Sequence, residues 1–121
     1  MAQHNHLGKK GEDIAENYFI NNGYAIVARN WRCPKGEIDL IVCKNRIVVF
    51  VEVKTRSSNY WGNPEESISS HRIKRMVEAA DYYIQDNNLD CDIRFDIIAI
   101  ILNENAIKVN HIADAFVAPL Y

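Results

Sequence analysis

Three acids and a lysine stand inside two segments of this chain that otherwise read as buried strands. In GEIDLIVCKNRIVVFVEVKTR, Gly36 to Arg56, the acids are Glu37, Asp39 and Glu52, and Lys54 follows Glu52 by two positions. Charged side chains are the types a core excludes most strongly, so their placement needs a chemical reason. A two-residue turn at Lys44 and Asn45 makes the segment an antiparallel hairpin. In that register Asp39 faces Phe50, Glu37 faces Glu52, and Asp39 lies diagonal to Glu52. Ionised and dry, these carboxylates repel one another. Lys54 supplies one positive charge, and a hard divalent cation would supply the rest. Magnesium prefers a few carboxylate oxygens together with waters and phosphate oxygens, which one end of such a hairpin offers. A salt-bridge cluster on an exposed sheet face uses the same residues, and periodicity alone allows either. Exposed ion pairs contribute only about 0 to 1 kcal/mol, so stability is a weak reason for the arrangement.

The elements that must position these groups follow from hydrophobic period. Ile14, Ala15, Tyr18 and Phe19 give one buried face to a helix from Gly8 to Asn22, closed by Gly23. At about 100° per residue Glu12 lies on the border of that face beside Phe19, whereas Glu16 is turned farther toward solvent. Residues Tyr24 to Asn30 read as a first strand. Within the hairpin, Ile38, Leu40, Val42, Ile47, Val49, Val51 and Val53 share an apolar face. The acids, Lys54 and Arg56 cluster at one end of the other face, which Val48 and Phe50 mark as partly covered. A second helix runs from about Ser70 to Asn87 with Ile73, Met76, Val77, Ala80 and Ile84 on one stripe. A short helical turn begins at Asn63 to Glu66. IRFDIIAIIL and AIKVNHI close the chain as two strands around a turn at Asn103 to Asn105. The order, helix, three strands, helix, two strands, predicts a mixed sheet covered by helices in one α/β domain over residues 1–121, with residues 1–7 as a flexible tail.

Composition sets the broad class. With 121 residues, 48% apolar and 25% charged, the chain has the make-up of one globular domain. No apolar run approaches the roughly 20 residues of a membrane helix, and the N-terminus lacks a secretory apolar core, so no membrane association and a cytoplasmic location are expected. Cys33, Cys43 and Cys91 are odd in number and lack CxxC spacing, which predicts free thiols rather than disulfides or a zinc site. The net charge of −2 is uneven: Arg29 to Arg56 carries seven basic and three acidic residues, or +4, leaving −6 elsewhere. Such a basic stretch suits a phosphate-facing surface.

GEIDLIV followed by VFVEVKTR resembles the signature of the YraN-like bacterial proteins. These are regarded as nucleases of the PD-(D/E)XK superfamily, similar to archaeal Holliday-junction resolvases. The likeness extends to Gly11-Glu12, Asn22-Gly23-Tyr24, Arg29-Asn30, Lys74 and Arg94-Phe95-Asp96. It implies a restriction-endonuclease-like αβββαβ core, with Asp39, Glu52 and Lys54 matching the catalytic motif and Glu12 the helix acid of the resolvases. Ile38 stands where the motif has proline, a position that supplies no ligand. By this resemblance Asp39, Glu52, the Val53 backbone carbonyl and Glu12 would hold Mg²⁺ or Mn²⁺. Lys54 would orient the attacking water, and Glu37 would stand behind the ligands.

The implied substrate is DNA, including branched DNA, and the resolvase likeness is compatible with a homodimer. Arg29, Arg32, Lys35, Arg56, Arg72, Lys74 and Arg75 are candidates to grip the phosphate backbone, and Tyr60 and Trp61 to stack on unpaired bases. Two other readings compete with the endonuclease. One is a binding domain that keeps the fold without turnover. The other is a structural salt-bridge network, for which loss of Glu52 would be strongly destabilising.

Overall fold

The structure, a computed structural model, describes residues 2–57 and 68–116, the first five of them by backbone alone. Its elements are α1 (Ala2–Asn21), β1 (Ala25–Cys33), β2 (Gly36–Lys44), β3 (Ile47–Ser57), α2 (Ser70–Asp86), β4 (Asp92–Leu102) and β5 (Ile107–Ile112). The strands form one five-stranded sheet in the order β1-β2-β3-β4-β5. β3 and β4 are parallel and the other neighbours antiparallel. A parallel pair needs a long connection, and α2 lies within it. This is the αβββαβ core expected from the sequence, with β5 added at one edge.

α1 starts at Ala2 rather than Gly8, so the stretch read as a tail continues the helix. Its other end is closed by Gly23 at φ 88°. The Gly23 N–H donates to the Ile20 carbonyl at 3.0 Å and that of Tyr24 to Phe19 at 2.9 Å. These are the paired bonds of a glycine-terminated helix, and they satisfy carbonyls that α1 would otherwise leave open. α2 begins where the Ser69 hydroxyl accepts from the Arg72 N–H at 3.1 Å. The short turn expected at Asn63 to Glu66 lies outside the described residues, as do Tyr60 and Trp61.

The hairpin register differs from the sequence reading. Its turn is Asn45-Arg46, both with positive φ of 53° and 64°, and Lys44 pairs with Ile47. A two-residue hairpin turn of this kind needs left-handed backbone at both central positions, and since either turn pairs Asn45 with one long basic residue, residue type does not choose between them. The shift moves every pairing by two residues and so keeps the faces. Phe50 is opposite Ile41, not Asp39. Counting on from Leu40 opposite Val51, Asp39 comes level with Glu52.

Both faces of β2, β3 and β4 are covered. α1 contributes Ala15 and Phe19 to a core with Leu40, Val42, Val49, Val51, Ile98 and Ile100. α2 contributes Met76, Val77, Ala79 and Ala80 to a second core with Ile41, Phe50 and Phe95. Ile38 also joins the second core, although simple alternation puts it with Leu40. Asn30, left-handed at φ 52°, interrupts the adjoining strand between Arg29 opposite Leu40 and Trp31 opposite Ile38. The alternation changes face there. Val48 and Phe50 thus sit under α2, as the partly covered face requires. The three cysteines are free and half-buried, and among the described residues no helix is long and apolar enough to cross a membrane.

Candidate functional site

The site lies where the sheet forks. β2 and β3 pair from Lys44 opposite Ile47 to Leu40 opposite Val51. Beyond that point β2 stays with β1 as far as Gly36, while β3 stays with β4 as far as Ser57. The Asp39 carboxylate bridges the opening, its Oδ2 accepting from the Val53 N–H at 2.8 Å. A strand residue turns its N–H and C=O to the same side, so the Val53 carbonyl also faces the opening. The fork lets groups from both faces of the sheet meet. Glu12 comes from the α1 side and Glu52, Lys54 and Arg72 from the α2 side. Together with Asp39, Val53 and Arg56 they line one open cleft of about 370 Å³.

Burial and charge oppose each other in this cleft. Glu52 is 3% exposed. Arg72 donates to it through Nε to Oε2 and Nη2 to Oε1, both at 2.9 Å, and Lys54 Nζ stands 3.7 Å from Oε2. The same guanidinium lies 3.8 Å from Asp39 and 3.8 Å from Glu37. Its bond to Glu52 holds the Arg72 pKa above the ordinary range, against the effect of burial. Asp39 is pushed up to about 7, first by burial and then by the Glu52 charge, although the Val53 N–H and Arg72 act the other way. One guanidinium does not neutralise this pair of acids.

A pH dependence follows. The folded pKa of Asp39 lies above its ordinary value of 3.8. Folded protein therefore holds a proton that unfolded chain releases between 3.8 and about 7, and this group lowers stability as pH rises through that window. Asp39→Asn keeps an acceptor for the Val53 N–H without the charge. It is expected to exceed wild type by about 1–3 kcal/mol near pH 8 and to match it near pH 4 in urea denaturation without metal. An equal difference at both pH values would contradict the assignment.

α1 brings Glu12 to the fork by close approach. A Cβ on the buried Gly11 would lie 1.9 Å from Thr55 Oγ1 and 2.9 Å from Thr55 Cβ, so only glycine lets α1 rest on β3 at this height. Glu12 Oε1 then accepts from Asn30 Nδ2 at 3.0 Å and Arg29 Nη2 at 3.5 Å. Gly11→Ala is expected to destabilise by about 1–3 kcal/mol through overpacking and to displace Glu12. Chemical denaturation with a metal titration tests this; unchanged values in both would show that α1 shifts without cost. Glu12 lines both clefts at the fork whereas Glu16, held by Arg29 at 3.0 Å, lines neither, in line with their positions on the helix face.

The basic residues divide. Arg56 and Arg72 line the cleft. Arg29 and Arg32, with Lys9, line an adjoining cleft that shares Gly8, Glu12 and Asp39 with the first. Arg29, however, is held by Asp13 at 2.6 Å, Glu16 at 3.0 Å and Glu12 at 3.5 Å, which makes it a strut between β1 and α1. Arg32 is 78% exposed beside Glu37. Lys35 lies elsewhere, in a groove with Glu78, Asp81, Ile93 and Phe95. Lys74 and Arg75 are exposed on α2. At about 100° per residue Lys74 points roughly 200° around the helix from Arg72, so Arg75 is the nearer of the two to the Arg72 face.

The donors fit a hard divalent cation in type: three carboxylates and a strand carbonyl, all oxygen. Their present orientation is set by other partners, Glu52 by Arg72 and Glu12 by Arg29 and Asn30. Among the described residues no group of three His, Cys, Asp or Glu stands close enough to hold an ion as placed. Because Glu52 is paired with Arg72, removing it strands a guanidinium whether the cluster is catalytic or structural, and its stability effect no longer separates those readings.

Sequence reasoning missed Asn30 as a holder of Glu12 and Arg72 as the partner of Glu52. Neither carries a local signal, since both act across elements. It also missed a second buried acid, Asp96, which is fully buried and accepts from Arg94, His111 and the Asp114 N–H. Its signal was present: an aspartate inside the apolar run IRFDIIAI, the same kind of interruption that marked Asp39.

Comparison with known proteins places the chain. The model of the uncharacterised protein family UPF0102 matches residues 11–100, which include the fork and the start of α2. A UPF0102 protein of Bacteroides thetaiotaomicron is 44% identical over the full length of both chains. Another, of Christiangramia forsetii, is 43% identical over 96% of this chain and 98% of its own, and one of Flavobacterium psychrophilum is 45% identical over the same shares. As its hairpin signature indicates, the chain belongs to the UPF0102, or YraN-like, family.

Proposed function

We propose that this protein is a Mg²⁺- or Mn²⁺-dependent endonuclease that hydrolyses phosphodiester bonds in DNA, with selectivity for branched structures. The observation that carries the reading is the convergence of Glu12, Asp39, Glu52 and Lys54 on one cleft at the fork between β2 and β3. A structural salt-bridge network has no need to open onto solvent there, or to line the same cleft with all four of these groups.

Asp39, Glu52, the Val53 carbonyl and Glu12 would hold the ion. When bound, it supplies positive charge for the phosphoryl oxygens and makes a water more acidic. Lys54 orients the water and faces the scissile phosphate as a compact point charge. Glu37, beside Arg32 and Arg72, stands behind the carboxylates and keeps those arginines near them. The two clefts that meet at Gly8, Glu12 and Asp39 offer a path for the backbone, with Arg56 on one side and Lys9 and Arg32 on the other.

The test is cleavage of labelled duplex, single-stranded, flap and four-way DNA with Mg²⁺ or Mn²⁺, with Asp39→Ala as control. Metal-dependent cleavage lost in the variant is the expected result, and cleavage that survives it rejects the site. One observation favours a second reading, a binding domain without turnover: the Arg72 fork occupies both oxygens of Glu52. That reading predicts binding to the same DNA panel with no cleavage of any member.

A further inference from the structure

Arg72 does more in this cleft than a backbone-gripping arginine would. Its Nε and Nη2 take both oxygens of Glu52 at 2.9 Å, and the same guanidinium stands 3.8 Å from Asp39 and from Glu37. Three of the acids near the fork thus converge on a single side chain. A carboxylate as buried as Glu52 requires a cation, because an uncompensated buried charge is severely destabilising. Either a guanidinium or a metal ion meets that need, and in this structure each Glu52 oxygen accepts a bond from the guanidinium.

We propose that Arg72 is the resident cation of the site, exchanging with the divalent ion on Glu52, and that the released guanidinium then grips the substrate phosphate. This inference rests on the metal-dependent reading above. The exchange requires only side-chain motion. Arg72 lies in the first turn of α2, where Ser69 holds its backbone N–H, and its side chain lines the open cleft that the nucleic acid would enter. The guanidinium can turn from Glu52 into the cleft while the helix stays in place. Its planar fork suits a phosphate as well as a carboxylate.

Metal and nucleic acid then help each other. A phosphate that draws Arg72 away frees Glu52 for the ion, and an ion on Glu52 frees Arg72 for the phosphate. Linkage makes the coupling equal in both directions, about 5- to 150-fold for couplings of ordinary size. Nucleic-acid-free protein consequently binds metal weakly, with Asp39 and Glu52 held together by Arg72 until substrate arrives.

The test is Mn²⁺ binding to nucleic-acid-free protein by calorimetry and by the metal-dependent rise in melting temperature, for wild type, Arg72→Lys and Arg72→Gln. Arg72→Lys keeps the charge but cannot form the two-bonded fork, and is expected to bind Mn²⁺ about 5- to 10-fold tighter than wild type. Arg72→Gln is expected to bind tighter still; if it fails to fold, the lysine variant carries the test. Equal affinity in wild type and Arg72→Lys overturns the exchange, even if Arg72→Gln binds tighter, because remote charge alone would explain that. Weaker binding in both variants also overturns it and makes Arg72 a support for the ligands. Absence of Mn²⁺ binding in all three proteins rejects the metal-dependent reading and the exchange together. Mn²⁺ binding to wild type without a gain in Arg72→Lys rejects the exchange alone.

Discussion

Lys54→Ala is expected to lower metal-dependent DNA cleavage by about 10²- to 10⁴-fold, the range for losing a positioned group that acts on the transition state. The expectation separates function from folding. Lys54 Nζ lies 3.7 Å from Glu52 Oε2, but the bidentate bonds from Arg72 remain when Lys54 is gone, so Glu52 keeps a counter-charge. The Lys54 side chain is 21% exposed and faces the cleft, so its removal leaves no sealed cavity. Melting temperature should therefore change little. Single-turnover rates, measured beside DNA affinity, distinguish loss of chemistry from loss of grip. Unchanged turnover, or a loss confined to affinity, would remove Lys54 from the chemical step. Lys54→Arg should recover little activity, because a planar fork does not replace a compact ammonium at one phosphate oxygen.

The largest stability effect is expected away from the cleft. Asp96→Ala should destabilise the fold by about 3–5 kcal/mol, the cost of breaking a buried ion pair from one side. Asp96 is fully buried beneath α1 and accepts from Arg94 twice at 2.8 Å, His111 at 2.6 Å and the Asp114 N–H at 3.0 Å. The other ring nitrogen of His111 lies 3.0 Å from the Tyr18 hydroxyl, so the cluster ties α1 to β4 and β5. Burial raises the Asp96 pKa, but His111, Arg94 and the Asp114 N–H outweigh it and hold the acid below its ordinary value of 3.8. The sign is opposite to that of Asp39. The stability Asp96 confers is complete above 3.8 and is lost as pH falls through its lower folded value. Urea denaturation should show the deficit of Asp96→Ala in full near neutral pH and shrinking in strong acid. A deficit that is constant with pH would mean that packing, not the ion pairs, is responsible.

Asp96 also bears on the candidate site. α1 packs on the sheet through Ala15 and Phe19, and is fixed further by Gly11 against Thr55 near the fork and Tyr18 against His111 farther along. These contacts set the height and direction of the helix and hence where Glu12 stands. A variant that loosens the Tyr18 end should weaken metal binding although no ligand has changed.

Much of this arrangement was legible because it depends on short-range pattern. The period of Ile14, Ala15, Tyr18 and Phe19 located α1 and placed Glu12 rather than Glu16 toward the cleft. The valine and isoleucine alternation of the hairpin put Glu52 and Lys54 on one face, and that assignment survived the change of register because a two-residue shift keeps every side chain on its side. The register itself was misread because Lys44-Asn45 and Asn45-Arg46 both leave alternating strands on either side. Only backbone conformation at the turn distinguishes them. Ile38 was assigned to the wrong core for a related reason: the left-handed Asn30 lies on the neighbouring strand, out of reach of the pattern along β2.

By itself, the sequence determined the order of the described helices and strands, most of the faces they bury and the presence of acids where a core should exclude them. Those properties follow from periodicities of 2 and 3.6 residues and from the cost of burying charge. Tertiary structure alone decided the partners. Asp39 and Asp96 carry the same signal, an acid inside an apolar strand, yet one opens onto a cleft and rises to a pKa of about 7 while the other is sealed among Arg94, His111 and a backbone N–H and falls below 3.8. Arg72, which by sequence was one of seven candidate contacts to phosphate, proved to hold Glu52. The charge state and neighbours of a buried group depend on residues brought together from distant parts of the chain, and no local pattern encodes that meeting.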